Sequence, residues 1–157
     1  MSSLDRFERI ARKVVVTVTR VEQLDQLHPF DERNIHPEIA KVARNLFDDA
    51  HYPQATFEAC KLIDKAVSKV SGIQKSGFDL MMQAFNEASP LIKLTDMSGP
   101  SETDEQKGYR HMFAGAMSAI RNPRGHEYGM SDPVSLCLDH LSVASVLLRR
   151  LESRVSP

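Results

Sequence analysis

From residue 37 to residue 151, apolar side chains recur at alternating steps of three and four, and a Pro or Gly stands near most places where the pattern stops. That period is the α-helical one, so the chain is constrained to bury helix stripes against one another. Pro37 opens a helix that runs to about Ala50, with Ile39, Val42, Ala43, Leu46 and Phe47 inward. Pro53 starts the next, in which Thr56, Ala59, Cys60, Ile63, Ala66, Val67 and Val70 share one stripe, and Gly72 supplies its stop. A short apolar helix with Phe78, Met81, Met82 and Phe85 follows and ends before Pro90.

Residues 95–103 read as a loop around Ser98-Gly99-Pro100. Thr103 and Gln106 have capping-box spacing, and Tyr109, Met112, Phe113, Ala116, Met117 and Ile120 line one face of the helix they start. Gly115, Ser118 and Ala119 are small, which lets another helix come close. Asp132 as cap and Pro133 at the first turn open a last helix. Its Val134, Cys137, Leu138, Leu141, Ala144 and Leu148 form one stripe, and Leu136, Val143 and Leu147 a second. That much apolar surface suits a central helix or one facing a partner subunit. The expectation is an all-α bundle of about five to six helices, whose last two long helices flank a loop over Arg121–Met130.

The first 35 residues are set apart as an N-terminal extension, with the helical domain over 36–157. Residues 4–24 carry helical spacing, but Val14-Val15-Val16-Thr17-Val18-Thr19 also suits a strand; helix is favoured because no partner strand is evident. His28 to His36 reads as a connection. Hydrophobic residues at 41% and charged residues at 26% permit a buried core in a chain of 157 residues. A net charge of −1 provides no global field for nucleic acid, so any such contact has to come from a local cluster. Cys60 and Cys137 fall on apolar faces and read as buried thiols of a reduced compartment. With no signal peptide and no membrane-spanning run, a cytoplasmic protein without membrane partners is expected.

Chemistry concentrates in Arg121-Asn122-Pro123-Arg124-Gly125-His126-Glu127-Tyr128. Arginine carries a fork of donors suited to phosphate, and histidine exchanges protons near neutral pH. Cleaving an RNA backbone without a metal needs a base for the ribose 2′-OH, an acid for the leaving 5′-oxygen, and cations on the phosphorane-like transition state. His126 suits acid or base, and Arg121 with Arg124 suits the phosphate. Asn122 can orient a ligand or cap the helix end, and Tyr128 can donate to a phosphate oxygen. The same residues also suit an ordinary helix stop, with Asn-Pro and then Gly ending the helix.

The bare Arg-to-His spacing is weak, since Arg44-Asn45-Leu46-Phe47-Asp48-Asp49-Ala50-His51 fits it too. Arg44 lies in mid-helix beside two carboxylates that repel phosphate, which favours the later copy. His28, His36, His51 and His111 with Cys60 or Cys137 show no CxxC or HxxxH pair, so no metal or cofactor is expected. No Gly-x-Ser-x-Gly elbow or Gly-rich phosphate loop occurs. Glu58 and Lys61 read as a solvated pair, with a supporting contact to the site as the alternative.

Arg121-Asn122-Pro123-Arg124-Gly125-His126 resembles the Arg-x4–6-His signature of the HEPN superfamily, with the polar residue after Arg that is typical there. His51-Tyr52-Pro53-Gln54-Ala55, Phe78-Asp79-Leu80-Met81-Met82-Gln83-Ala84-Phe85 and Asp104-Glu105-Gln106-Lys107-Gly108 look like the Ymh-type conserved-hypothetical family within it. The similarity covers roughly residues 36–153. It implies an all-helical homodimer with two facing motifs and, in catalytic members, metal-independent endoribonuclease activity in phage defence or toxin systems. There Arg121, Asn122 and His126 would be catalytic, with Arg124 and Tyr128 binding the substrate. The extension to Tyr128 also resembles toxins whose Tyr is adenylylated by a nucleotidyltransferase antitoxin. The alternative expectation is a catalytically silent dimerisation or RNA-binding module, since some HEPN domains do not cleave.

Overall fold

The computed structural model describes residues 5, 7–13, 27–127 and 129–155, and every regular element among them is helical. Residues 7–13 are helical; the helix-or-strand reading of residues 14–24 lies outside the described residues. The ordered elements that follow are α1 (Pro29–Glu32), α2 (Pro37–Asp48), α3 (Tyr52–Ser71), α4 (Gly77–Ala84) and α5 (Pro100–Gly115). A π-helical turn (Ala116–Arg121) leads into α6 (Asn122–His126), and α7 (Val134–Glu152) closes the bundle.

Helix α3 is the axis of the bundle, with α2, α4, α6, α7 and the π-turn packed around it. Its buried stripe of Ala55, Thr56, Ala59, Cys60, Ile63 and Val67 meets Cys137, Leu141, Ala144 and Leu148 of α7 in one continuous core. Gly72 ends α3 in the left-handed region at φ 73°, where a side chain would be strained. Phe30 and Ile35 join the same core, so the helical body already includes residues ahead of 36.

The expected connection from His28 to His36 contains the helical turn α1, and both histidines act as caps. Nδ1 of His28 accepts the Phe30 N–H at 3.1 Å, and Nδ1 of His36 accepts the Glu38 N–H at 3.1 Å. An accepting Nδ1 leaves the proton on Nε2, which reaches Asp48 at 2.8 Å and Glu152 at 2.9 Å respectively. These two rings are thereby committed to structure.

Three sequence expectations are corrected. Thr103 and Gln106 form no capping box: Pro100 begins α5, Gly99 precedes it, and Thr103 Oγ1 turns back to the Gly99 carbonyl at 3.0 Å. Gln106 is fully buried instead, accepting from Leu94 N–H at 2.8 Å and donating to the carbonyls of Phe85 and Ile92. It thus satisfies the backbone of the irregular 85–94 connection. Asp132 caps no helix, because Pro133 holds that position and the Asp132 carboxylate is taken by Arg124. Finally, Arg121–Met130 is not all loop, since helix continues to His126. Several stripe positions also face outward: Val70, Phe78, Met112, Val134, Leu136 and Val143 are exposed.

Candidate functional site

Pro123 shapes the motif segment without ending the helix. Its nitrogen has no hydrogen to give and its ring crowds the turn before it. The backbone answers by widening: the Asn122 N–H reaches the Met117 carbonyl five residues back, which is π-helical bonding. α6 then resumes, and Glu127 N–H donates to the Pro123 carbonyl at 3.1 Å. The reading of this segment as a plain helix stop is therefore replaced by a helix that is re-aimed and continued.

Gly125 also has a different role from the expected breaker. A Cβ built there would stand 2.7 Å from Cε2 of Phe57, so only glycine lets α6 lie this close to α3. Phe57 is a residue that sequence reasoning missed, because it sits one step off the inward stripe of α3. It organises the site all the same. The Arg121 guanidinium lies over its ring, 5.6 Å from the centroid, and Lys61 Nζ lies 5.9 Å from the same centroid. Lys61 is also paired with Glu58 at 2.9 Å, so those two residues are both an ion pair and neighbours of the motif.

Arg121 is the uncommitted cation of the segment. Its Nε is buried without a hydrogen-bond partner, and it takes part in none of the ion pairs among the described residues. Nη1 lies 3.8 Å from where a Cβ on Gly77 would be, which places the guanidinium beside the start of α4. Asn122 is half-buried in helical backbone and, with the helix continuing, caps no end.

Arg124 is in the opposite state. Nε meets Asp132 Oδ2 at 2.6 Å, Nη2 meets Oδ1 at 2.9 Å, and Nη1 donates to the Ile120 carbonyl at 2.8 Å. Both side chains of the pair are only 5% exposed. In this arrangement the fork is closed on a carboxylate and is not open to a phosphate.

His126 is exposed at the end of α6, and no hydrogen bond joins it to Arg121 within the chain. Five residues apart on a helix, their side chains leave the axis about 140° from one another. Tyr128 lies outside the described residues. Beneath the segment, burial pushes the Cys60 thiol up to about 12, against the opposing pull of Arg124 and Arg121. Cys137 is bonded to the Tyr52 carbonyl at 3.4 Å and receives Thr56 Oγ1 at 3.5 Å.

His140 is a second residue the sequence left unmarked. It lies three residues after Cys137 on the inward side of α7, within electrostatic reach of Arg124 and Asp132. Its Nδ1 is buried and unpartnered. Burial first, and then Arg124, hold its pKa below the ordinary histidine value, with Asp132 and Asp139 pulling the other way.

The competing Arg44 copy is dismantled by its neighbours: Arg44 reaches Asp31 at 3.4 Å and Asp48 is held by His28. Among the described residues, no three His, Cys, Asp or Glu side chains gather to hold a metal ion. No described helix is long and apolar enough to cross a membrane.

Comparison with known proteins adds one finding. No curated protein and no solved structure matches the chain. A family model described as "Protein of unknown function (Hypoth_ymh)" matches residues 33–151, which span α2 to α7 and the whole motif segment. The chain belongs to the Hypoth_ymh family.

Proposed function

We propose that this protein is a HEPN-type, metal-independent endoribonuclease of a phage-defence or toxin system, working as a homodimer. The observation that carries the reading is Arg121: a half-buried guanidinium with no anionic partner, braced on Phe57 beside the start of α4. A positive charge left unpaired in such a place is suited to a phosphate that arrives with the substrate.

In the proposed reaction His126 takes the proton from a ribose 2′-OH, and the 2′-oxygen forms a bond to phosphorus. The bond from phosphorus to the 5′-oxygen breaks, and that oxygen takes a proton from the partner's His126. Arg121 stabilises the charge on the phosphorane-like transition state. Asn122 and Tyr128 stand beside these groups in sequence, and a nucleotidyltransferase antitoxin acting on Tyr128 belongs to the same proposal. A second copy is supported by the outer face of α7, which leaves Leu136, Val143 and Val146 exposed. It would also supply a second His126 to a site whose own His126 makes no hydrogen bond to Arg121.

The test is purified protein incubated with RNA and EDTA. Fragments ending in 2′,3′-cyclic phosphate are expected, and both His126→Ala and Arg121→Ala should lose at least a hundredfold in rate, in line with removal of an acid–base group. A His126→Ala protein that cuts at the wild-type rate ends the proposal. The second reading is a silent RNA-binding or dimerisation module. It is favoured by the separation of Arg121 from His126 within one chain, and RNA binding with no cleavage by wild-type protein would establish it.

A further inference from the structure

We infer that the groove beside the start of α4 is a track for the backbone of single-stranded RNA, leading away from Arg121. This rests on the ribonuclease reading for its substrate, but it stands on separate residues. A cavity of about 500 Å³ lies between the C-terminal half of α3 and the 72–76 connection, and Lys65, Lys69 and Lys75 line it together with Ser68, Gln74 and Ser76. The groove begins next to the motif: Ser76 precedes Gly77, and Gly77 is the residue beside which Arg121 Nη1 lies.

Charge decides what the groove takes. Lys65, Lys69 and Lys75 form no ion pair among the described residues. Three nearby carboxylates are already engaged, and the exposed Asp96 stands in an adjoining cavity that Lys69 also lines. Asp64, which also lines the groove, is buried and accepts the Gly77 N–H at 2.6 Å. Glu38 and Glu152, which line the neighbouring cavity with Lys65 and Lys69, are held by Lys41 and His36. Lys65 and Lys69 stand four residues apart on α3, so their charges step along the helix by about 6 Å, and Lys75 follows on the connection. Such a ladder in a recess, with hydroxyl and amide donors between the charges, suits successive phosphates of one flexible strand. A lipid surface is favoured less, because the groove is concave and its lining has no large apolar side chain to insert.

The experiment uses full-length His126→Ala protein, so that binding is read without cleavage, and a fluorescent 12-nucleotide oligo(U) as probe. Adding Lys65→Gln, Lys69→Gln and Lys75→Gln should weaken binding at least tenfold and lower the salt slope by about 2, since each contact to a single strand contributes about 0.7. These exposed substitutions should leave circular dichroism unchanged. Equal affinity with and without the three changes overturns the track, even if wild-type protein cleaves RNA. Lysine-dependent binding of the probe by a protein that never cleaves keeps the track and removes only the nuclease reading. Lysine-dependent binding to phosphatidylserine vesicles with no effect on the RNA probe overturns it in favour of a membrane surface.

Discussion

Arg124 and Asp132 form a two-pronged ion pair that fastens α6 to the turn before α7, with N–O distances of 2.6 and 2.9 Å. The partners are eight residues apart, and the pair closes the segment that carries His126 and Tyr128. Because both side chains are buried, removing one partner strands a charge. Asp132→Ala should lower unfolding free energy by about 3–5 kcal/mol in a urea titration followed by circular dichroism. The paired replacement Arg124→Met with Asp132→Leu should cost clearly less, since it leaves no buried charge behind.

Gly125 and Phe57 make a second prediction. A methyl group at Gly125 cannot fit 2.7 Å from the ring, so Gly125→Ala should destabilise by about 1–3 kcal/mol, as overpacking does. Combining it with Phe57→Leu should recover part of the loss. Thermal unfolding of the four proteins forms a complete cycle.

Gln106 should be as intolerant of change as any apolar core residue. Gln106→Leu strips partners from the Leu94 N–H and from the Phe85 and Ile92 carbonyls, at a cost of about 3 kcal/mol or more. Faster hydrogen exchange at the Leu94 amide is the specific sign of this loss.

His140 predicts a pH dependence. Its folded pKa lies below the ordinary value of 6.5, so the folded ring resists a proton that the unfolded ring accepts. Stability from this group is complete above about pH 6.5 and falls as pH drops from there through the lowered folded value. His140→Gln should flatten that part of the curve. An unchanged slope in urea midpoints measured between mildly acid and neutral pH would refute the assignment.

The helices were readable because burial repeats with the helical period. Ile39, Ala43 and Phe47, or Cys137, Leu141, Ala144 and Leu148, follow it and are buried. Short polar signals were misread where one residue type serves two purposes. Gln106 has the spacing of a cap yet binds backbone 12 to 21 residues away in the core network, and Asp132 looks like a cap yet answers Arg124. The sequence placed Arg121 and His126 in one compact segment, but pattern alone does not carry the angle between them. Phe57, His140 and the lysines at 65, 69 and 75 escaped notice because their role depends on which helix faces lie together.

The widened turn at Ala116–Arg121 has a consequence for the whole C-terminal third of the chain. One additional residue over an ordinary turn swings everything downstream by about 100° about the helix axis. Deleting a single residue there would rewind the segment, lift the guanidinium of Arg121 from its aromatic seat and point Gly125 elsewhere. The bearing of the motif is therefore written as an indel, a discrete setting that no side-chain exchange can dial.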